Sequence, residues 1–302
     1  MVQNMLKEVI GFLFRSSGIG FVIRQVCCKK RATIVVYHDP RPERFRKHLQ
    51  HLSKHYHFIS LARLVAELER RDWSGIPDSA LVVTLDDGHK GNFKLTEIFR
   101  EFALRPTIFV CSHIVNTSRH FWWTQRNRKG RKSKKVPSHP MLRSSQAEEN
   151  YEPEKEYPDR QALSLSEMKE MLPYVEFGSH TKFHRSLPNC RDQRSRDEVM
   201  NSKEHLEQLM GKPVVHFCFP EGHYSSRELK YIKESGYKSA RTLDVGWNDV
   251  KSDPYRLKAM AVEDHASINV LSGQVCGFFG YIRYLLRRTL PAGRQGFKGA
   301  VH

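Results

Sequence analysis

Cysteine is scarce in this chain of 302 residues, with six in all (Cys27, Cys28, Cys111, Cys190, Cys218 and Cys276). They form no CxxC pair and no small-domain spacing, which excludes a disulfide framework and a cysteine-rich metal module, so they read as reduced thiols. The adjacent Cys27 and Cys28 fit ordinary small residues at a helix end better than a redox pair. Long apolar runs are also missing. The N-terminal patches at 9–14 and 19–23 are broken by Arg15 and Arg24. A secretory leader needs roughly 7–15 unbroken apolar residues and a cleavage site. A spanning helix needs about 20. The expectation is therefore a cytoplasmic protein, at most peripheral to the inner face of the membrane.

Acidic residues fall short of basic ones, 33 against 50, leaving a formal charge of +17. The excess is patchy, concentrated at 29–31, in 126–135 (RNRKGRKSKK) and at 283–288. Such a balance suits an anionic partner without naming it. Zinc-finger spacing, RNP-like aromatic runs and helix-turn-helix patterns are absent, which argues against nucleic acid. At helical period, residues 1–30 are amphipathic and basic; this suits peripheral contact with an anionic membrane or a helix packed on the domain. No internal repeat or low-complexity tract is present. The stretch 291–302 reads as a loose tail.

What the sequence does have is 39% apolar residues, enough for a real core, and a regular alternation of short β-rich runs with helical stretches. Strands are expected at 33–37 (TIVVY), 80–85 (ALVVTL), 107–110 (TIFV), 175–178, 214–219 (VVHFCF) and 238–242. Helices are expected at 44–55, 61–70, 92–102, 164–171, 194–210 and 227–235. Strands separated by helices imply an α/β fold with a parallel sheet, open or closed as a barrel. The domain organisation expected is a basic helical segment at 1–30, one main domain at 31–273, and a basic C-terminal helix and tail at 274–302. A polar excursion at 116–161 interrupts the rhythm; its length suits a lid or a disordered insertion. The cluster Phe121-Trp122-Trp123 at its start is either buried or a platform on which sugar rings stack.

In parallel α/β folds functional groups gather at the carboxyl ends of strands. Asp86 and Asp87 end one expected strand, His180 and His184 follow another, and His38-Asp39 ends a third. One carboxylate and two imidazoles with open positions suit zinc or another divalent first-row metal. Asp-Asp-Gly alone equally suits a solvated turn. His-x-x-x-His alone is weak among sixteen histidines. A second carboxylate beside a metal-bound one can remain ionised and act as a base.

In combination and order, these residues resemble the polysaccharide deacetylase family, the nodulation-protein-B homology domain of family 4 carbohydrate esterases. The likeness runs from about Thr33 to Gly273. Val83-Thr84-Leu85-Asp86-Asp87-Gly88, with Asn92 following, is similar to the family's first motif. Phe177-Gly178-Ser179-His180-Thr181-Lys182-Phe183-His184, then Leu187, is similar to its second. Phe217-Cys218-Phe219-Pro220-Glu221-Gly222 is similar to its third. Tyr37-His38-Asp39-Pro40 and the stretch 105–110 also fit.

The resemblance implies a distorted (β/α) barrel and removal of N-acetyl groups from hexosamine units of a polysaccharide, oligosaccharide or lipid-linked glycan. It implies Asp86 as base, and Asp87, His180 and His184 as ligands of one divalent ion, zinc foremost, with cobalt, nickel or manganese as alternatives. It places the Glu221 backbone N–H at the oxyanion, and His38, Phe219, Pro220, Trp122 and Trp123 along the substrate groove. Chitin-type oligomers, exopolysaccharide, peptidoglycan and lipid-linked sugars all fit.

Two positions depart from the family pattern. Its late Leu-x-His, which supplies the acid, is missing; His265 is nearest by position, with His223 and His38 as alternatives. The arginine that often precedes the third-motif proline by two places is Cys218 here; Asp253-Pro254-Tyr255-Arg256-Leu257-Lys258 resembles a late segment of some members that ends in a basic residue, which makes Lys258 a candidate substitute. The missing acid keeps open a binding module that retains the fold but not turnover, and the charge keeps open a basic binder of membrane or nucleic acid.

Overall fold

A computed structural model describes residues 2–128 and 151–280. Nearly half of the expected excursion (129–150), with most of its basic run, and the basic stretch and tail after 280 lie outside the described residues. In chain order the elements begin with α1 (Val2–Ser16), α2 (Ile19–Ile23), a π-helical turn (Arg24–Cys28), β1 (Ala32–Tyr37), α3 (Pro42–Leu52), β2 (His57–Phe58) and α4 (Leu61–Arg70). There follow β3 (Ala80–Leu85), a 3-10 segment (Lys90–Leu95) running into α5 (Thr96–Glu101), β4 (Thr107–Val110), α6 (Trp122–Arg128), α7 (Leu165–Met171) and β5 (Glu176–Ser179). The order closes with α8 (Asp192–Met210), β6 (His216–Cys218), α9 (Ser226–Glu234), β7 (Ser239–Arg241), β8 (Met260–Ala261) and α10 (Ile268–Val275).

The chain divides into two compact units, one built from residues up to Thr84 with Leu243–Asp253 and residues from Leu257, the other from Leu85–Thr242 with Pro254–Arg256. In the first, β1 lies between β3 and β8, and β2 pairs with β3. Val35 and Met260 face each other in a parallel β1–β8 pair. Every residue of β1 and β3 is buried. This explains their unbroken Val, Ile and Leu content: a parallel strand covered on both faces has no polar side to display. Helix α4 buries Leu61, Leu64, Val65 and Leu68 on one face, and Ser60 caps its N-terminus by accepting from the Arg63 N–H.

The second unit orders its strands β4–β5–β6–β7, all parallel. Its helices start on strong signals: Ser164 with Glu167, and Ser225 with Glu228, each form a reciprocal capping box. Close packing of β5 requires glycine at 178. A Cβ there would stand 2.6 Å from the Phe109 ring and 2.9 Å from the His216 carbonyl oxygen, and overpacking of this kind costs about 1–3 kcal/mol.

His216 itself is buried in β6, with Nδ1 2.8 Å from the Ser239 hydroxyl. Burial pushes its ring down from 6.5 to about 4, with Lys238 adding to the effect. Above pH 6.5 both folded and unfolded chains carry it neutral, and below that the unfolded chain takes up the proton first, until the folded ring follows near 4. Stability therefore falls as the pH drops through this window, by up to about 3 kcal/mol from this residue. Urea titrations of metal-free protein across the window are expected to show that loss in the wild type and a shallower pH slope in His216→Asn.

Candidate metal centre

The strands of the second unit end where the motif residues begin. His180 follows β5 directly, Cys218 is the last residue of β6, and Arg241 the last of β7. Cys218 and Arg241 are register partners across β6 and β7. Asp86 and Asp87 follow β3 at the start of this unit.

The loops after these strands are bent into unusual backbone. Of the eight non-glycine residues with positive φ among the described residues, four belong to the motifs: Asp87 (72°), Thr181 (67°), His184 (58°) and Glu221 (56°). Left-handed backbone is costly for residues with a Cβ, most of all for the β-branched Thr181; each such position costs on the order of 1–3 kcal/mol and persists only when its surroundings hold it. Here they do. The Thr181 hydroxyl accepts from the His184 N–H at 3.0 Å, and the Thr181 carbonyl accepts from the Ser112 N–H at 3.0 Å. From α8, the buried carboxylate of Glu198 accepts the N–H groups of Lys182 (2.9 Å) and Phe183 (3.1 Å), between the two histidines.

Three donor atoms converge on the space so formed. Asp87 Oδ1 lies 3.6 Å from His180 Nε2 and 3.5 Å from His184 Nε2. These separations exceed a good hydrogen bond, yet they match the edge of about 3.4 Å of a tetrahedron whose ligands stand about 2.0–2.1 Å from a shared ion. His180 donates from Nδ1 to the Cys218 carbonyl at 2.9 Å, so Nε2 carries the lone pair and faces Asp87, the orientation metal-binding histidines take from a carbonyl partner. Burial pushes His180 down to about 4, keeping the ring neutral. On the other side of the carboxylate, His89 Nε2 stands 3.1 Å from Asp87 Oδ2. The residues fit a divalent ion.

A second group of possible ligands, Asp86, His180 and Cys218, lies alongside. It is already occupied by a cation of the protein's own. The fully buried guanidinium of Arg241 pairs with Asp86 Oδ2 and donates to Cys218 Sγ. Burial alone would lower the Arg241 pKa, but Asp86 and Cys218 raise it above its usual value, so the charge stays. Burial holds the Cys218 thiol well above its usual range despite Arg241, and the thiol donates to Asp86 Oδ2 at 3.7 Å. Asp86 Oδ1, also buried, has no hydrogen-bond partner among the described residues. The division of labour is geometric: one aspartate faces two imidazoles, its neighbour is gripped by an arginine through one oxygen and keeps the other open.

The remaining expected site residues are distributed as follows. The Trp122 indole N–H donates to the His184 carbonyl at 3.2 Å, and the Trp123 ring meets the His184 ring edge-on at 4.9 Å. Both tryptophans thus wall the histidine. Phe219 and Pro220 are buried, with Phe219 stacked on Tyr224. The Glu221 N–H donates to no backbone carbonyl among the described residues, and the Glu221 carboxylate lies 3.3 Å from His223 Nδ1. His38 and His265 belong to the first unit. His38 donates its backbone N–H to Asp264, and the His265 side chain is 83% exposed. Lys258, also in the first unit, bonds through its backbone N–H to Asn248. The basic partner of Asp86 is Arg241, which the sequence reading did not single out; nor did it single out His89 or Glu198.

The sequence model of the family described as polysaccharide deacetylase matches residues 75–240, more than half of the chain. The chain belongs to this family. By family it is a carbon–nitrogen hydrolase of the N-deacetylase type, and the matched span contains Asp86, Asp87, His180, His184 and Glu221. Solved structures share the fold. A Streptococcus pyogenes deacetylase, PplD, in complex with acetate is 17% identical with a TM-score of 0.60, the match covering 82% of this chain and 99% of that one. IcaB from Ammonifex degensii is 16% identical with a TM-score of 0.60, covering 82% and 97%. A de-N-acetylase from Aggregatibacter actinomycetemcomitans is 14% identical with a TM-score of 0.58, covering 80% and 99%. These place the parallel sheet and its helices in the distorted (β/α) barrel class of the deacetylases. Comparison with curated proteins finds no match.

Two outcomes test the centre. His180→Ala and His184→Ala are each expected to abolish binding of a stoichiometric divalent ion, read by elemental analysis of purified protein. Arg241→Met, which leaves the Asp86 carboxylate buried without its partner, is expected to cost about 3–5 kcal/mol in urea unfolding.

Proposed function

We propose that this protein is a metal-dependent N-deacetylase that removes acetyl groups from N-acetylhexosamine units of a glycan, with Asp86 as its base. The observation that carries this reading is the pairing of two aspartates with opposite environments: Asp87 Oδ1 faces His180 and His184, while Asp86 is held by Arg241 through Oδ2 and keeps Oδ1 open. Asp87, His180 and His184 would hold the ion, zinc or another divalent first-row metal. When bound, such an ion supplies Lewis acidity and lowers the pKa of a coordinated water towards ~7 in the best cases.

The chain's own residues do the rest. Arg241 holds Asp86 through Oδ2, which leaves Oδ1 as the oxygen to take a proton. The Glu221 N–H, set by its left-handed backbone and committed to no backbone carbonyl among the described residues, is the donor for the oxyanion; a preorganised donor of this kind is worth about 3 kcal/mol of barrier. Trp122 and Trp123 fix the His184 ring and border the position a sugar would take. The proton gained by Asp86 is the one at hand for the departing amine, so the same carboxyl serves as acid in the second half of the reaction. His265, expected as that acid, is exposed in the first unit and receives no role. Acetate, the ligand named for PplD, is the acyl product this reaction releases.

Asp86→Asn is expected to retain the metal and lose acetate release by at least about 100-fold, within the range for removing a positioned acid–base group. The measurement is acetate liberated from N-acetylhexosamine oligomers, polysaccharide and lipid-linked sugar by metal-loaded protein. Binding of these glycans without any acetate release by the wild type would overturn the assignment in favour of a binding module.

A further inference from the structure

The first unit carries an apolar surface that the catalytic reading leaves unused. Nine of the ten large apolar side chains exposed among the described residues lie between Met5 and Val26. On α1 they are Met5, Leu6, Val9, Phe12 and Leu13, with Met5 64% and Phe12 57% exposed. At about 100° per residue these five fall within an arc of roughly 120°. The opposite side of α1 is the one tied to the protein. Gly11 lies so close to α10 that a Cβ would stand 2.8 Å from the Asn269 backbone, and Phe14 meets the Phe278 ring at 4.5 Å. Lys7 pairs with Glu263, and Glu8 accepts from the Ser267 hydroxyl. With its inner face fixed, α1 cannot roll to hide its stripe. Beyond the turn at Gly18, the exposed Ile19, Phe21, Val22 and Val26 extend the same kind of surface along α2 and the π-helical turn, with Phe21 59% and Val26 75% exposed.

Charge identifies the occupant. Residues 2–31 hold six basic side chains (Lys7, Arg15, Arg24, Lys29, Lys30 and Arg31) and one acidic, Glu8. Arg15, Lys29, Lys30 and Arg31 are exposed. A protein interface is depleted of lysine and of charge at its core. An amphipathic helix lying in a bilayer surface has instead this composition, with Phe and Leu directed inward and Lys and Arg at the level of anionic headgroups. No helix among the described residues is long and apolar enough to cross a membrane. We infer that α1 and α2 form a docking platform that lies on an anionic lipid bilayer, burying Phe12, Leu13, Phe21 and Val22 among the acyl chains while Lys29, Lys30 and Arg31 contact the headgroups.

The test is flotation of the full chain with phosphatidylcholine vesicles, with and without phosphatidylglycerol. The wild type is expected to float with the anionic vesicles and at least about tenfold less with neutral ones, with binding weakened by salt. The double variant Phe12→Ser, Phe21→Ser is expected to lose about tenfold or more in vesicle affinity, and Lys29→Glu, Lys30→Glu, Arg31→Glu about fivefold per charge, with metal content and unfolding midpoint unchanged in both. Three results would each overturn the inference. The wild type would not float with either vesicle; the variants would float as well as the wild type; or the phenylalanine variant would dissociate a dimer while vesicle binding stayed the same, assigning the surface to a second copy of the chain.

Discussion

The ion pair between Arg241 and Asp86 is the constraint around which the site is arranged. A carboxylate buried beside an imidazole and a thiol, as Asp86 is beside His180 and Cys218, would be expensive without a partner, since burying an unpaired ion costs several kcal/mol even after relaxation. The guanidinium, itself wholly buried, removes that penalty and fixes the direction of the carboxylate. It also occupies Asp86 Oδ2 and Cys218 Sγ with its own N–H groups. Of the two sets of donors that could hold an ion, Asp86, His180 and Cys218 is thus already engaged, and Asp87, His180 and His184 is the set left for one. One side chain thus bears on both halves of the proposed site, the base and the ion.

Much of this was legible in the sequence because it is local. The strands at 80–85 and 107–110 and the helix at 61–70 occur with the expected bounds, since buried parallel strands announce themselves as unbroken β-branched runs and α4 by its apolar periodicity. The motif carboxylates and histidines were found because each pair lies within five residues of chain. Arg241 was not, because its relation to Asp86 exists only across strands: it is the register partner of Cys218, the position where the family pattern often carries the arginine. The charge has moved one strand sideways. Its one sequence signal was a basic residue near the end of an expected strand, and only the register gives that meaning. The two-residue strands β2 and β8 are too short to produce a period, and the helix expected at 92–102 begins as a 3-10 segment at Lys90–Leu95, which has the same apolar content at a tighter winding.

The supports of the histidine loop were invisible for a related reason. Glu198 sits on the long, polar-faced α8 and reads as one of many solvated acids. In the fold it is buried and receives two N–H groups from the loop between the metal histidines. Left-handed backbone at Asp87, Thr181, His184 and Glu221 likewise has no reliable sequence mark outside glycine. The loops hold these shapes through hydrogen bonds from β4, α8 and their own side chains, so the precision of the ligand set derives from residues that never meet the ion.

The make-up of the two units has a consequence for how the protein comes into being. The first unit is discontinuous: Val35 and Met260 are partners in one strand pair, so β1 leaves the ribosome long before the residue it must pair with exists. The second unit is nearly continuous, and Asp87, His180 and His184, which could hold an ion, all lie within it. Domains fold as units during synthesis, N-terminal segments first where they can. Here they cannot. The apolar surface of α1 is therefore made well before α10, the helix that packs against its inner face at Gly11, and must stay unaggregated until then.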